Sequence, residues 1–325
     1  MDFIKQACTV LAAIAAFVMA SEPANAQAWP TKTVTVVVPT TAGSGLDVIA
    51  RFLNEGLQER LGQPFIVENR AGANAAIGAQ AVARAAPDGY TLLVGTASSH
   101  GINPYFIKGL GYDPVKDFQP ITTIFAIGLV LVVNPQTTPV STLAELTAFM
   151  KARPGKISYA SGNAFGRITS EWYKQRADFD AVHIPYTGVP QALNDLMGGR
   201  VHFLFADATA GFAAAASGKV RAIAVTNPRR VASAPNVPTM VESGLAEFVS
   251  YSWVGLFYPA KTPLAIARRL ADAANAVMTS DKGSAYLKKM GADPYPGSPE
   301  MLSKFVVEEL DRWGKVAAHA RIQPE

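Results

Sequence analysis

The stretch TVTVVVPTTAGSGLD, from Thr33 to Asp47, is the segment from which the fold class can be predicted. Its apolar, β-branched first half predicts a buried strand, and the pattern from Leu46 to Leu61 predicts a helix. The loop between them consists of small residues and contains two glycines. Such a loop leaves N–H groups free at a helix start, where the helix dipole favours an anion. The stretch therefore predicts an α/β fold with an anion site at a strand end.

The same loop also has a purely structural interpretation. Ser44 and Asp47 fit the S-x-x-D pattern of a helix cap, and Gly43 and Gly45 could serve only to shape the turn. Taken alone, the loop leaves both interpretations open. The choice between them depends on whether other loops of the same style lie nearby.

Composition and charge limit the class of protein. The chain has 325 residues, of which 49% are hydrophobic and 17% charged, so it is long enough for two lobes. The formal net charge is +4, but the basic residues form only isolated pairs such as Arg229-Arg230 and Lys288-Lys289. Nucleic-acid binding needs a basic stripe, whereas mild, scattered basicity suits small anions. We therefore expect no nucleic-acid partner.

The N-terminus has the composition of a secretory signal. An apolar run over 7–20 precedes the A-x-A site Ala24-Asn25-Ala26, so we expect 1–26 to be a cleaved signal peptide. A retained anchor is the alternative, and cleavage one A-x-A site later is also compatible with the pattern. Cys8 lies at the start of the apolar run, which is not the position of a lipoprotein cysteine. The mature chain would then contain no disulfide.

Strands and helices alternate along the remaining chain. Apolar runs predict strands over 33–39, 64–68, 90–95, 121–133, 157–160, 182–186, 201–206, 220–226 and 252–258. Helical patterns cover 46–61, 75–86, 143–151, 167–176, 190–197, 263–279, 282–290 and 299–318. This alternation predicts α/β sheets covered by helices, and so many strands favour two sheets rather than one.

Catalytic motifs of the familiar types do not occur in the sequence. It has no nucleophile elbow, P-loop, dinucleotide fingerprint or zincin motif. Ser99 and His100 are adjacent, and in an extended segment their side chains would point to opposite faces. We therefore expect no catalytic residue, metal or cofactor. An enzyme acting on a carboxylate is the alternative.

Four small-residue loops share one style and follow predicted strands. They are PTTAGSGLD, GTASSHG with Ser98 and His100, ASGNAFGR with Asn163, Phe165 and Arg167, and PYTG with Tyr186, Thr187 and Gly188. Ligands of open α/β sheets bind outside the carboxyl ends of the strands. Hydroxyl, amide and N–H groups hold an anion without a full counter-charge, so the anion can leave again. The four loops together favour a reversible carboxylate or phosphate site.

The ordered motifs of the chain resemble a known family. The matching segments include WPTKTVTVVVP, VENRAGANAAIGAQAVARAAPDGYTLL, YDPVKDFQPI, HIPYTGVPQALNDLMGGRVHF and GKVRAIAVTN. The second of these segments is the most specific. From Trp29-Pro30 to Trp313, the chain resembles the Bug-type (Bordetella uptake gene) periplasmic receptors of tripartite tricarboxylate transporters.

The resemblance implies a two-lobed periplasmic-binding-protein (Venus flytrap) fold with two mixed or parallel sheets flanked by helices. The chain would cross between the lobes twice, near 122–130 and 248–256. Lobe 1 would comprise 27–125 and 252–325, and lobe 2 would comprise 126–251. The protein would act in the periplasm, as a monomer, and pass a small carboxylate to integral membrane subunits. A ligand sensor for a signalling partner is a further alternative.

The resemblance also assigns candidate ligand contacts to the first, third and fourth loops and to the segment around Asp207, while the small-residue pattern of the second loop adds Ser98 and His100. The full set is Thr40, Thr41, Gly43, Ser44, Gly45, Asp47, Ser98, His100, Asn163, Phe165, Arg167, Tyr186, Thr187, Gly188 and Asp207.

Departures from the family pattern suggest the ligand class. Family members usually read PFAPGG where this chain has PTTAGS, and PYKG where it has PYTG. In the third loop Arg167 stands where histidine is common, and Phe165 replaces a small residue. We hypothesise that one carboxylate binds at Gly43–Gly45, that Arg167 pairs a second, and that Phe165 lies against an aromatic ring such as terephthalate's. The alternatives are a solvated or salt-bridged Arg167 and a Phe165 in a lobe core.

Overall fold

The computed structural model describes residues 29–324 except 232, 290 and 291, so the predicted signal peptide lies outside the described residues. The strands are β1 (Val34–Val38), β2 (Phe65–Asn69), β3 (Thr91–Thr96), β4 (Phe118–Val133), β5 (Ser158–Ser161), β6 (Val182–Pro185), β7 (Phe203–Asp207), β8 (Arg221–Val225), β9 (Tyr251–Pro259) and β10 (Asp293–Pro294). The helices are α1 (Gly45–Leu61), α2 (Ala76–Ala83), α3 (Asn103–Phe106), α4 (Leu143–Lys151), α5 (Ala164–Ala177), α6 (Val189–Met197), α7 (Ala208–Ala216), α8 (Leu264–Met278), α9 (Asp281–Lys289) and α10 (Pro299–His319).

The sheet has two halves that share strand β4. Its order is β2-β1-β3-β9-β4-β7-β5-β6, with β8 and β10 also paired to β4. Strand β1 runs parallel to β2 and β3, and β5 runs parallel to β6 and β7. The other pairings are antiparallel, so both halves are mixed. The two predicted sheets are therefore present, but one strand runs through both of them.

Strand β4 changes partners in the middle of its 16 residues. It pairs with β9 as far as Gly128, and with β7 from Leu129 onward. Gly128 lies against Asn227, because a Cβ added there would stand 1.8 Å from the Asn227 Oδ1 atom. Only glycine fits the present geometry where the two halves meet.

Local signals explain where several helices start and stop. Thr142 caps α4 by accepting the Glu145 N–H at 3.2 Å, as the T-x-x-E pattern predicts. Helix α1 ends at Gly62, whose φ of 75° is the left-handed conformation that glycine adopts without strain. Helix α5 begins at Ala164 rather than at Arg167, because the Asn163 Oδ1 accepts the Gly166 N–H at 2.7 Å.

The C-terminal helix α10 packs on both halves. Its Trp313 is fully buried, and its ring centre lies 5.9 Å from that of Phe165 and 5.8 Å from that of Trp172 on α5. Glu309, one turn earlier, accepts the indole N–H groups of Trp313 and of Trp253 on β9, at 2.9 and 3.0 Å. One apolar core therefore continues from one half into the other. Over the described ranges, no helix combines the length and hydropathy needed to cross a bilayer.

Candidate functional site

A cavity of about 570 Å³ lies where the two halves of the sheet meet. Its polar lining comprises Thr40 and Gly45 from the first loop, Thr96 from β3, Asp207 from β7, Thr209 from α7 and Ser252 from β9. Its apolar lining comprises Leu46, Ile49, Phe125, Ile127, Ala210, Ala213, Val254 and Ala292. The cavity thus has hydrogen-bonding groups from both halves and apolar walls between them.

The first loop contributes the start of α1 to this cavity. Ser44 Oγ accepts the Asp47 N–H at 3.3 Å and lies 2.7 Å from Thr40 Oγ1. The N–H groups of Gly45 and Leu46 are the first two of the helix and have no intrahelical partner. Free N–H groups and the dipole at a helix start favour an anion, so the predicted carboxylate site stays a prediction at this place.

Asp47 holds this loop rather than facing a ligand, which corrects its prediction as a ligand contact. Its side chain is only 3% exposed and accepts hydrogen bonds from Arg51 Nε at 3.0 Å, Asn69 Nδ2 at 2.9 Å and the Gly43 N–H at 2.8 Å. The Arg51 hydrogen bond, with those from Gly43 and Asn69, lowers the pKa of Asp47 to about 2 despite its burial. Its oxygens are occupied by the protein itself.

Asn69 was not among the predicted site residues, yet it joins the first loop to the end of β2. Its Nδ2 also donates to the Thr40 carbonyl at 3.1 Å. A signal for it exists in the sequence, because Asn69 follows the apolar run of a predicted strand, at the same sheet edge as Thr40. Thr96 belongs to the second predicted loop, GTASSHG, from which only Ser98 and His100 were chosen. Thr209 and Ser252 line the cavity from elements that carry no recognisable motif.

The third and fourth loops pack against each other in the second half. A Cβ added to Gly162 would lie 2.2 Å from the Val189 backbone nitrogen. The Tyr186 hydroxyl donates to Asp195 Oδ2 at 2.7 Å, which anchors the fourth loop on α6. The predicted ligand contacts in these two loops do not line the cavity. These contacts are Asn163, Phe165, Arg167, Tyr186, Thr187 and Gly188. Of the first loop, only Thr40, Gly45 and Leu46 line it, so Thr41, Gly43 and Ser44 shape the loop around it.

Arg167 on α5 reaches towards the first half with its guanidinium group. Its Cζ lies 5.1 Å from the centre of the Phe106 ring, on α3 of the first half. Its Nε is buried without a hydrogen-bond partner, and no carboxylate in the described ranges pairs with it. Burial and the Arg167 charge lower the pKa of nearby His183 to about 4. Within the described ranges the side chain is therefore a cation without a carboxylate partner, close to Phe106 of the first half.

Phe165 belongs to the core, which corrects the prediction that it stacks on a ligand. It is 3% exposed and meets Trp313 edge to face. The lobe-core alternative describes it correctly.

His100 and Ser98 also lie away from the cavity. His100 is fully buried, and its ring stacks on Phe257 at 3.8 Å, so it cannot reach a ligand. Burial lowers its pKa to about 3. The expectation that Ser99 and His100 point to opposite faces is wrong. Ser98–Ile102 form a π-helical turn in which Ser99 Oγ lies 2.9 Å from His100 Nδ1.

The described residues were also compared with the ligand sets that metal ions need. Within the described ranges, no group of three or more His, Cys, Asp or Glu residues could hold a metal ion. In the cavity itself, Asp207 is the one ionisable residue among the described lining residues. The chemistry on offer is hydrogen bonding, helix dipoles and apolar contact.

Two α/β halves with a cavity at their junction, and helices starting at its edge, define a two-lobed solute-binding protein of the periplasmic type. Residues 49–321 match the family model described as "Tripartite tricarboxylate transporter family receptor". Protein BugT of Bordetella pertussis is 34% identical to the chain, over 90% of this chain and 91% of BugT.

Solved structures agree with this match. The R. palustris protein Rpa4515, solved with adipate, is 34% identical and superposes with a TM-score of 0.80, over 91% of this chain and 100% of that one. MatC from Rhodopseudomonas palustris, solved with bound malate, is 31% identical with a TM-score of 0.75, over 89% and 100%. The chain belongs to the tripartite tricarboxylate transporter receptor family and is a Bug-type receptor. The family resemblance and the fold class predicted from the sequence are confirmed.

Proposed function

We propose that this protein captures a small carboxylate in the cavity between its halves and delivers it to the integral membrane subunits of a tripartite tricarboxylate transporter. One observation carries the proposal: the N–H groups that start α1, at Gly45 and Leu46, lie at a cavity lined from both halves. A ligand that touches both halves favours their closed arrangement, which membrane subunits can recognise. Adipate and malate in two relatives support a carboxylate ligand.

The ligand we propose is a dicarboxylate with an apolar body. The walls formed by Leu46, Ile49, Phe125 and Val254 suit a methylene chain or an aromatic ring, so terephthalate is a candidate alongside adipate. With Phe165 in the core, the case for an aromatic ligand depends on Phe125 and its apolar neighbours. The second carboxylate would pair with Arg167, which lacks a counter-ion but does not line the cavity itself.

We propose the lobe bounds predicted from the sequence, with lobe 2 over 126–251 and the rest of the mature chain in lobe 1. The change of partners of β4 at Gly128 and Leu129 supports the first crossing, and the start of β9 at Tyr251 supports the second. We also propose that the protein acts in the periplasm after cleavage of 1–26, works as a monomer and binds without catalysis.

Thermal unfolding of the mature protein with a carboxylate panel tests the proposal. A one-site ligand at 100 times its Kd stabilises a protein by about 2.7 kcal/mol. We expect such a shift with at least one of adipate, terephthalate or malate, and mass spectrometry should recover the ligand unchanged. Turnover of the ligand, or no stabilisation by any carboxylate, would contradict the proposal. Loss of uptake of the bound compound on gene deletion tests delivery.

Arg167→Ala tests the dicarboxylate part. The variant should bind a diacid about tenfold or more weakly, since a hydrogen-bonded charge pair is removed, and bind the matched monoacid as before. Arg269→Ala, an exposed arginine on α8, serves as the control. Equal diacid affinity in the Arg167 variant and the wild type would remove Arg167 from the site.

A further inference from the structure

Asp207 is the residue of the cavity that the proposed function leaves without a role. It ends β7 and immediately precedes α7, and its side chain makes no capping hydrogen bond to that helix. In the described part of the chain it accepts no side-chain hydrogen bond and pairs with no cation, although it lines the cavity. Desolvation raises its pKa, because the surrounding protein disfavours the charged carboxylate.

Asp207 is half-buried, so its carboxyl group is partly desolvated in the empty cavity and loses more water when a ligand enters. A buried polar group without a hydrogen bond destabilises a protein, and a buried charge does so more strongly. The cavity supplies no basic side chain to offset this cost, since its other described lining residues are neutral. A ligand that enters the cavity can therefore supply the hydrogen-bond donor that Asp207 lacks among the described lining residues.

The position of Asp207 defines which part of a ligand it meets. Thr40 and Gly45 approach the cavity from the first half, whereas Asp207 approaches it from the second. A carboxylate held at the start of α1 keeps its negative charge there, and a second negative charge close to Asp207 would be repelled. The group beside Asp207 should instead carry a hydrogen on oxygen or nitrogen.

We propose that Asp207 selects ligands by accepting a hydrogen bond from a hydroxyl or amino substituent on the carboxylate's carbon skeleton. This inference rests on the proposed function, because it assumes that a carboxylate occupies the cavity. It is compatible with a dicarboxylate whose second carboxylate reaches Arg167, since the substituent lies on the body of the ligand between its two ends.

Titration calorimetry with two matched series tests the inference. The probes are succinate, malate and aspartate, and terephthalate with its 2-hydroxy and 2-amino derivatives. The wild-type protein should bind a substituted member about tenfold or more tightly than the unsubstituted parent, the effect of one hydrogen bond to a charged group. Asp207→Ala should remove that preference.

Asp207→Asn separates the two kinds of donor. The asparagine carbonyl still accepts a hydrogen bond from a hydroxyl but no longer attracts an ammonium group. The variant should therefore keep most of a preference for malate and lose a preference for aspartate. Asp272→Asn, which removes an exposed charge on α8, should leave every affinity unchanged.

The outcomes distinguish this inference from the proposed function. Equal binding of parent and substituted acids by the wild type, or an unchanged preference in Asp207→Ala, would overturn the role of Asp207 and leave carboxylate capture intact. If no carboxylate of either series binds the wild-type protein, capture itself fails. Tight binding of one series with the expected preference supports both.

Discussion

Asp47 and Asp207 stand at the starts of two helices near the same cavity, in opposite electrostatic states. Asp47 is bonded to Arg51, Asn69 and Gly43, and its pKa is lowered to about 2. Asp207 has no such partners among the residues that the structure describes, and desolvation raises its pKa. The same residue type near two helix starts therefore has two different environments: Asp47 holds a loop in shape, and Asp207 is the group that we propose for the ligand.

The largest effect that tests this comparison is expected for Asp47→Ala. Three hydrogen bonds would be lost and the Gly43–Gly45 loop would lose its support, so the free energy of unfolding should fall by about 2–4 kcal/mol. Denaturant unfolding measures this, with Asp272→Ala as the exposed control. A loss no greater than the control's would mean that Asp47 does not hold the loop.

Gly43→Ala should give the next effect. Gly43 has a φ of 79° and open space where a Cβ would stand, so alanine would cost about 1–2 kcal/mol from the backbone alone. Gly155 has a φ of 73° and equally open space, which makes Gly155→Ala a matched control. Both variants should lose similar stability, but only Gly43→Ala should weaken carboxylate binding. Equal affinities in the two variants would separate the loop's shape from ligand binding.

Asp207→Asn should change stability in the opposite direction to the Asp47 variant. Removal of a desolvated charge should raise the free energy of unfolding of the ligand-free protein at neutral pH by about 1 kcal/mol. A gain of this size is common when a residue that serves binding rather than stability is replaced. Thermal unfolding without ligand measures it. A destabilised variant would indicate that Asp207 already has a favourable role in the empty protein.

The pH dependence should show the smallest effects, with opposite signs at the two sites. The pKa of Asp47 is lowered on folding, so its stabilisation is present above about pH 4 and is lost as the pH falls towards 2. The pKa of Asp207 is raised on folding, so its cost is present at neutral pH and disappears as the pH falls to about 4. Unfolding of each Asp→Asn variant against the wild type across this range measures both. Parallel trends would contradict the assigned states.

The sequence predicts the first loop well because its signals are local. The S-x-x-D pattern, the glycines and the apolar run before them lie within a few residues of one another, and Ser44 does cap α1. The bonding of Asp47 is less local, since Asn69 comes from the next strand. The pattern therefore identifies the helix start but not the group that supports it.

Burial of the other candidates depends on contacts distant in sequence. Phe165 is buried by Trp313, and His100 by Phe257, and neither partner is near in the chain. Helix α7, rich in alanine and without a capping side chain, was not predicted, so Asp207 was placed in the cleft by resemblance alone. Local patterns carry no information on which loop faces the cavity once two halves have packed.

Strand β4 joins the halves without a flexible linker. Its backbone is paired on both sides of Gly128, so rotation of one half against the other must twist a hydrogen-bonded ribbon. Asn227 closes the space beside Gly128, which limits how that twist can be relieved. We therefore expect relative motion of the two halves to be a limited twist of this paired strand rather than a free hinge rotation.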